Sequence, residues 1–190
     1  MKIYIAKKHY SNLPYHNFHH AEKVKNYALK LVKRCKKYKV PVNREVVEIA
    51  ALFHDAGYDK VKTNKEKFAC QIMTRELKKL SYTPKFIAEV KRTIMATKLG
   101  GPLKTTEQKI LRAADLSGFM GSYQEFLKNN KKIQQEYKLL YKKDNFPNKA
   151  WAKLVELYLK PKIQLTPEHK EDAFHAKARK NIEKFFREIK

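Results

Sequence analysis

Apolar residues recur at three- and four-residue steps through most of the chain, and Pro, Gly or cap residues mark the breaks between the stripes. Over residues 17–37, Val24, Tyr27, Ala28, Leu31, Val32 and Cys35 form one face of an amphipathic helix, with lysines on the other. His16, His20 and Val24 follow one another at four-residue steps, so His20 continues the apolar stripe and points inward. Val40-Pro41-Val42-Asn43 breaks the pattern, and Asn43 is a fair N-cap for a second helix. That helix, carrying Val46, Val47, Ile49, Ala50, Ala51 and Phe53, is apolar nearly all round and is expected to be the buried centre. His54-Asp55 stand at its end, and Gly57 is a natural terminator just past them.

A third helix is expected over residues 64–80, with Phe68, Ala69, Ile72, Met73 and Leu77 inward. Thr83-Pro84 supply a cap and first-turn proline for a fourth, which runs through Phe86, Ile87, Val90, Ile94 and Met95 until Gly100-Gly101-Pro102. Thr105 with Gln108 resembles a capping box, and the stripe behind it, Ile110, Leu111 and Ala114, leads directly to Asp115. After Gly118 and Gly121 come a long polar-rich helix to about Lys143, another around Trp151 to Leu159, and a last from Thr166-Pro167 onward. Residues 1–14 are ambiguous between a short helix and an extended arm. No alternating strand pattern of useful length and no internal repeat is present, so the fold is expected to be all-α. A length of 190 residues suits one domain, 1–190.

Composition narrows the setting. No apolar run approaches membrane-spanning length, and the start has too short an apolar core for a signal peptide, so a cytoplasmic protein is expected. Cys35 and Cys70 lie far apart on apolar faces, which favours buried free thiols over a disulfide. The formal net charge is +24, with 43 Lys+Arg against 19 Asp+Glu, a field that attracts phosphates on nucleotides, nucleic acid or anionic lipid. The lysines are spread along the whole chain, however, and genome bias explains the charge equally well.

The chemistry lies where polar groups interrupt apolar helices. An unpaired carboxylate buried at the end of the most apolar helix would cost several kcal/mol, and a cation beside His54-Asp55 removes that cost. Asp115, and His20 at the head of its stripe, repeat the pattern.

These residues carry a resemblance to the HD-domain metal-dependent phosphohydrolases. Tyr15-His16-Asn17 with His20, Ala21 and Val24 resembles the first motif of that superfamily, in the form shared with the catalytic domains of cyclic-nucleotide phosphodiesterases. Leu52-Phe53-His54-Asp55-Ala56-Gly57-Tyr58-Asp59 resembles the defining motif, and Ala113-Ala114-Asp115-Leu116 the last. A looser likeness through Tyr123, Tyr137 and the C-terminal helix is to a small, single-domain bacterial-type branch. The resemblance implies a compact multi-helix bundle, with a motif-bearing core over about 15–120 and C-terminal helices, 121–190, packed on it.

It also implies that His20, His54, Asp55 and Asp115 ligate one divalent metal. Such a mixed N/O set suits octahedral Mn, Fe, Co or Ni, with Zn and Mg as further options. His16 matches the general acid of the phosphodiesterases. Glu66 stands where relatives often place an acidic residue, and is equally readable as a solvated surface residue; Asp55 or Glu66 would take a proton from the attacking water. Many relatives carry a further metal-binding His where this chain has Ala96-Thr97-Lys98-Leu99-Gly100, which favours a single metal. Lys98, with Asn17, is then an expected substrate contact, or else one more surface lysine. His9, His19, His169 and His175 match no motif position. The expectation is a metal-dependent hydrolase that cleaves a phosphomonoester or phosphodiester bond of a nucleotide-like substrate with a metal-activated water. The alternative is a nucleic-acid-binding or nucleotide- or metal-sensing protein on the same scaffold, without turnover.

Overall fold

In the computed structural model the described residues are 2–142, 148–159, 163–166 and 173–188. Among them every regular element is a helix and none is a strand, so the fold is all-α. In chain order these are α1 (Lys2–Lys7), α2 (Phe18–Lys37), α3 (Arg44–Phe53), α4 (Lys65–Lys79), α5 (Pro84–Ile94), α6 (Thr106–Asp115), α7 (Tyr123–Tyr141), α8 (Asn148–Leu159) and α9 (Ala173–Glu188). Short 3-10 turns at Met95–Thr97 and Leu116–Phe119 follow α5 and α6.

The starts of these helices are set by their caps. Asn17 accepts from the His20 amide, Asn43 from those of Glu45 and Val46, and Thr83 from that of Phe86 ahead of Pro84. Thr105–Gln108 and Ser122–Glu125 form reciprocal capping boxes. Replacing any one of these caps with Ala removes about 1 kcal/mol.

Helix α3 is the centre of a first core. Val46, Val47 and every residue from Ile49 to Phe53 are buried, and α2, α5 and α6 pack around them. A second apolar cluster joins Leu116 and Phe119 to Phe126 of α7, Val155 of α8, and Ala178, Ile182 and Phe185 of α9. Asp115 ends α6, which belongs to the first core, and the turn after it belongs to the second. The site therefore lies where the two cores meet.

The N-terminal stretch includes the short helix α1, and its next residues fasten the end of α3. Tyr10 Oη donates to Leu52 O at 3.0 Å, and the Gly57 amide donates to His9 O at 2.9 Å. Gly57 has φ +73°, and a Cβ there would lie 2.7 Å from atoms of Phe68 and Ile72. Only glycine turns the chain here, from the His54-Asp55 end of α3 toward α4.

Some boundaries differ from the periodicity. Asn64 adopts a left-handed conformation (φ 55°), so α4 begins at Lys65. The expected end of the seventh helix at Lys143 and the start of the last at Thr166-Pro167 fall partly on residues outside the described ones. Cys35 and Cys70 are both buried and free, and burial pushes the Cys70 thiol up to about 12. No described helix is long and apolar enough to cross a membrane.

Candidate metal centre and active site

Four side chains from three helices converge at the seam. His20 comes from the first turn of α2, His54 and Asp55 from the end of α3, and Asp115 from the end of α6. One nitrogen or oxygen from each lies within 4.8 Å of all the others. His20 Nε2 is 3.2 Å from Asp115 Oδ1 and 3.6 Å from Asp55 Oδ2. His54 Nε2 is 3.0 Å from Asp55 Oδ2 and 3.4 Å from Asp115 Oδ1.

The orientation of His54 follows from its backbone. Its Nδ1 donates to Ala51 O at 2.9 Å, so Nε2 carries the lone pair toward the cluster. At Nε2 and at Asp55 Oδ2 no hydrogen bond is aligned, although both atoms are buried. Two buried polar atoms that face each other without an aligned hydrogen bond fit a cation held by both. The spacing fits as well. Ligand bonds of about 2.1 Å at right angles put neighbouring ligand atoms about 3 Å apart, and the closest pairs here are at 3.0–3.6 Å.

The charges support this arrangement. Burial alone would raise the pKa of Asp115, but the hydrogen bond from His20 and the nearby His54 imidazole outweigh it and hold the carboxyl far below its usual range. Asp55 is lowered in the same way, against its burial, by the charges of His54 and His16. Burial pushes His20 down. His54 is also opposed by burial, yet the neighbouring carboxylates of Asp55 and Asp115 carry it well above its usual value. The pocket thus keeps both carboxylates ionised and attracts positive charge. A divalent ion would take the place of the proton that His54 otherwise holds.

A cavity of about 320 Å³ opens on the cluster. His16, Asp55, Lys65, Glu66, Thr97 and Asp115 contribute to its polar wall, and Leu116, Phe119, Ile133, Trp151, Leu154 and Val155 form an apolar one. The HD-domain family model matches residues 17–117, from the first turn of α2 to the residues just after Asp115. The chain belongs to the HD-domain family. No curated protein and no solved structure matches it. Proteins of this family are generally metal-dependent hydrolases, and the four-residue group of this HD domain is able to hold an ion.

The remaining expected site residues are divided by the fold. His16 and Glu66 both line the cavity. Asn17 does not: its Oδ1 caps α2 through the His20 amide (3.1 Å) and its Nδ2 donates to Leu13 O (2.7 Å). Its role is to set the first turn on which His20 stands. Lys98 is exposed and lies outside the cavity lining. Its carbonyl instead accepts from the buried Arg112, which also donates to Ala96 O at 2.7 Å and so fixes the turn that carries Thr97 into the cavity. His19 is exposed, and His9 pairs with Glu76 at 3.2 Å. His169 and the side chain of His175 lie outside the described residues.

Two contributors were given no role from the sequence. Glu136 of α7 is 2% exposed and pairs with His16 Nδ1. Its Oε2 also accepts from the backbone amides of Tyr15 (3.0 Å) and His16 (2.8 Å). Burial would raise this carboxyl, but the His16 bonds outweigh burial and hold it below its usual value. Tyr58 is the second. Its ring stacks on His16 at 3.8 Å and 12°, while the Lys65 ammonium lies 3.2 Å from its centroid. Two groups so close to one centroid must occupy opposite faces, so Tyr58 is sandwiched between imidazole and ammonium.

Proposed function

We propose that the chain is a metal-dependent phosphohydrolase that cleaves a phosphomonoester or phosphodiester bond of a nucleotide-like substrate with water. The observation that carries this reading is the convergence of two imidazole nitrogens and two ionised carboxylates on one point at the end of the cavity. His20, His54, Asp55 and Asp115 would hold one divalent ion. Bound there, the ion supplies a Lewis acid that makes water nucleophilic near neutral pH and takes up charge on phosphoryl oxygens.

The other residues divide the proton work. His16 gives its Nδ1 to Glu136, which leaves Nε2 for the substrate. With Nδ1 held by Glu136 and the ring in the cavity wall, His16 is placed to donate a proton to the leaving oxygen. Glu66 lines the same cavity and is the proposed acceptor of the proton that the attacking water loses. Tyr58, stacked on His16, keeps the ring from turning away.

The test is product release from a panel of nucleotides and a chromogenic diester. Metal-stripped protein would be assayed before and after addition of Mn, Co, Ni, Zn or Mg, beside an Asp55→Ala control. Turnover that needs the ion and disappears in the control supports the reading. Stoichiometric ion uptake with no turnover of any substrate overturns it in favour of a sensor.

A further inference from the structure

We propose that Lys65 and the aromatic wall beside it select the substrate: Lys65 binds a phosphoryl oxygen, and the cleft of Tyr137, Tyr141 and Trp151 takes a flat aromatic group on the same phosphate ester. This rests on the phosphohydrolase reading and addresses the part of the substrate away from the cleaved bond.

Lys65 differs from the lysines that form ion pairs. Lys2, Lys8, Lys60 and Lys79 each lie against a carboxylate. The Lys65 ammonium is buried and has no hydrogen-bond partner and no ion pair among the described residues. It rests on the Tyr58 ring at 3.2 Å, with the Tyr141 ring 5.5 Å away. Glu136, Asp55, Glu66 and Asp59 attract it from a distance, and burial still lowers its pKa, to about 8. A cation parked on an aromatic face beside a metal centre keeps its three donors unused. Lysine has four rotatable bonds, so the ammonium can swing from the ring to an anion in the cavity while the backbone of α4 stays fixed.

The far end of the cleft defines the rest of the ligand. A second hollow of about 200 Å³ shares Tyr58, Ile133, Trp151 and Leu154 with the main cavity and continues it to Tyr137 and Tyr141. The Tyr137 and Tyr141 rings are 4.7 Å apart. The Trp151 indole is oriented by a 3.0 Å bond from Nε1 to Asn130 Oδ1, and Asn130 is itself buried. The combined cleft therefore offers the Lys65 ammonium and the four-residue cluster at one end and aromatic rings at the other. Such a wall rewards a planar π-system through stacking, and would stay wet beside a polyol or a bare phosphate.

Trp151 is the chain's one tryptophan, so its fluorescence reports occupancy directly. Metal-loaded protein would be titrated with phenylphosphonate, methylphosphonate and hexylphosphonate, whose C–P bonds resist hydrolysis. The expected result is a phenylphosphonate-dependent change in Trp151 emission, with binding at least about 10-fold tighter than for either alkyl analogue. Lys65→Met should weaken all three by about 10- to 100-fold, and Lys65→Arg should restore part of the loss. Melting curves would confirm that both variants fold. Equal affinity for phenyl- and methylphosphonate, tighter binding of hexylphosphonate, or unchanged affinity in Lys65→Met would each overturn the proposal. Turnover of nitrophenyl phosphate, measured on the same samples, separates the two ideas. Turnover without the phenyl preference removes the cleft but keeps the hydrolase, whereas phenylphosphonate binding without turnover by any ion removes the hydrolase.

Discussion

Glu136→Gln isolates the role of the carboxylate behind His16. The wild-type side chain accepts three hydrogen bonds, one from the His16 ring and two from the backbone amides of Tyr15 and His16. Glutamine is nearly isosteric, and its carbonyl oxygen still accepts from the two amides. What it loses is the charged acceptor facing the imidazole, because its NH2 group then faces His16 Nδ1. A hydrogen bond to a charged group is worth about 1.5–3 kcal/mol, so losing it should cost protonated His16 about 1.5–2 kcal/mol of support. That corresponds to a fall of about 10- to 30-fold in any step that needs His16 as an acid. The assay is kcat for two phosphate esters, one with an alkoxide leaving group and one with 4-nitrophenolate, which departs without a proton. The alkyl ester should slow by that factor and the nitrophenyl ester should barely change. Equal losses on both, or none on either, would refute the assignment of Glu136 and His16 to leaving-group protonation.

Further outcomes follow from the same geometry. His54→Ala and Asp115→Ala should each reduce uptake of Mn to below one ion per chain by elemental analysis, because each removes one of four converging atoms; uptake equal to wild type would contradict the ligand set. Gly57→Ala should lower stability by about 2 kcal/mol or more in a urea titration, since it combines a left-handed φ with 2.7 Å contacts to Phe68 and Ile72. Lys65→Met should raise the melting temperature at pH 7. The folded state holds the Lys65 proton less tightly (about 8) than the unfolded chain does (10.5), so charged Lys65 destabilises the fold below pH 8. That penalty is relieved as pH rises from 8 to 10.5, and the gain of the variant should shrink over the same window.

The sequence was informative wherever structure is local. The apolar stripe through Val24, Leu31 and Cys35 placed His20 inward because helical neighbours four residues apart share a face. The Asn43, Thr83 and Thr105 caps were readable because each cap is a short-range bond within its own first turn. The short helix α1 was ambiguous, since six residues give too little periodicity to read. The second layer of the site was hidden for the opposite reason. Glu136 reaches His16 across 120 positions, and its helix is polar enough that one buried carboxylate leaves no mark on the pattern. Lys65 is one of 43 basic residues, and only the meeting of α4 with the Tyr58 turn distinguishes it. Lys98 had a motif-based reason to face the substrate, but the turn that carries it is held by its carbonyl, and its side chain points to solvent.

The most direct test of the metal centre is a titration of metal-stripped protein with Mn, in which bound ion and phosphoester hydrolysis are followed together. The account predicts that activity rises from zero, tracks bound ion and saturates at one ion per chain, with Asp55→Ala flat throughout. Full activity in the ion-free protein, or activity retained by Asp55→Ala, would contradict it.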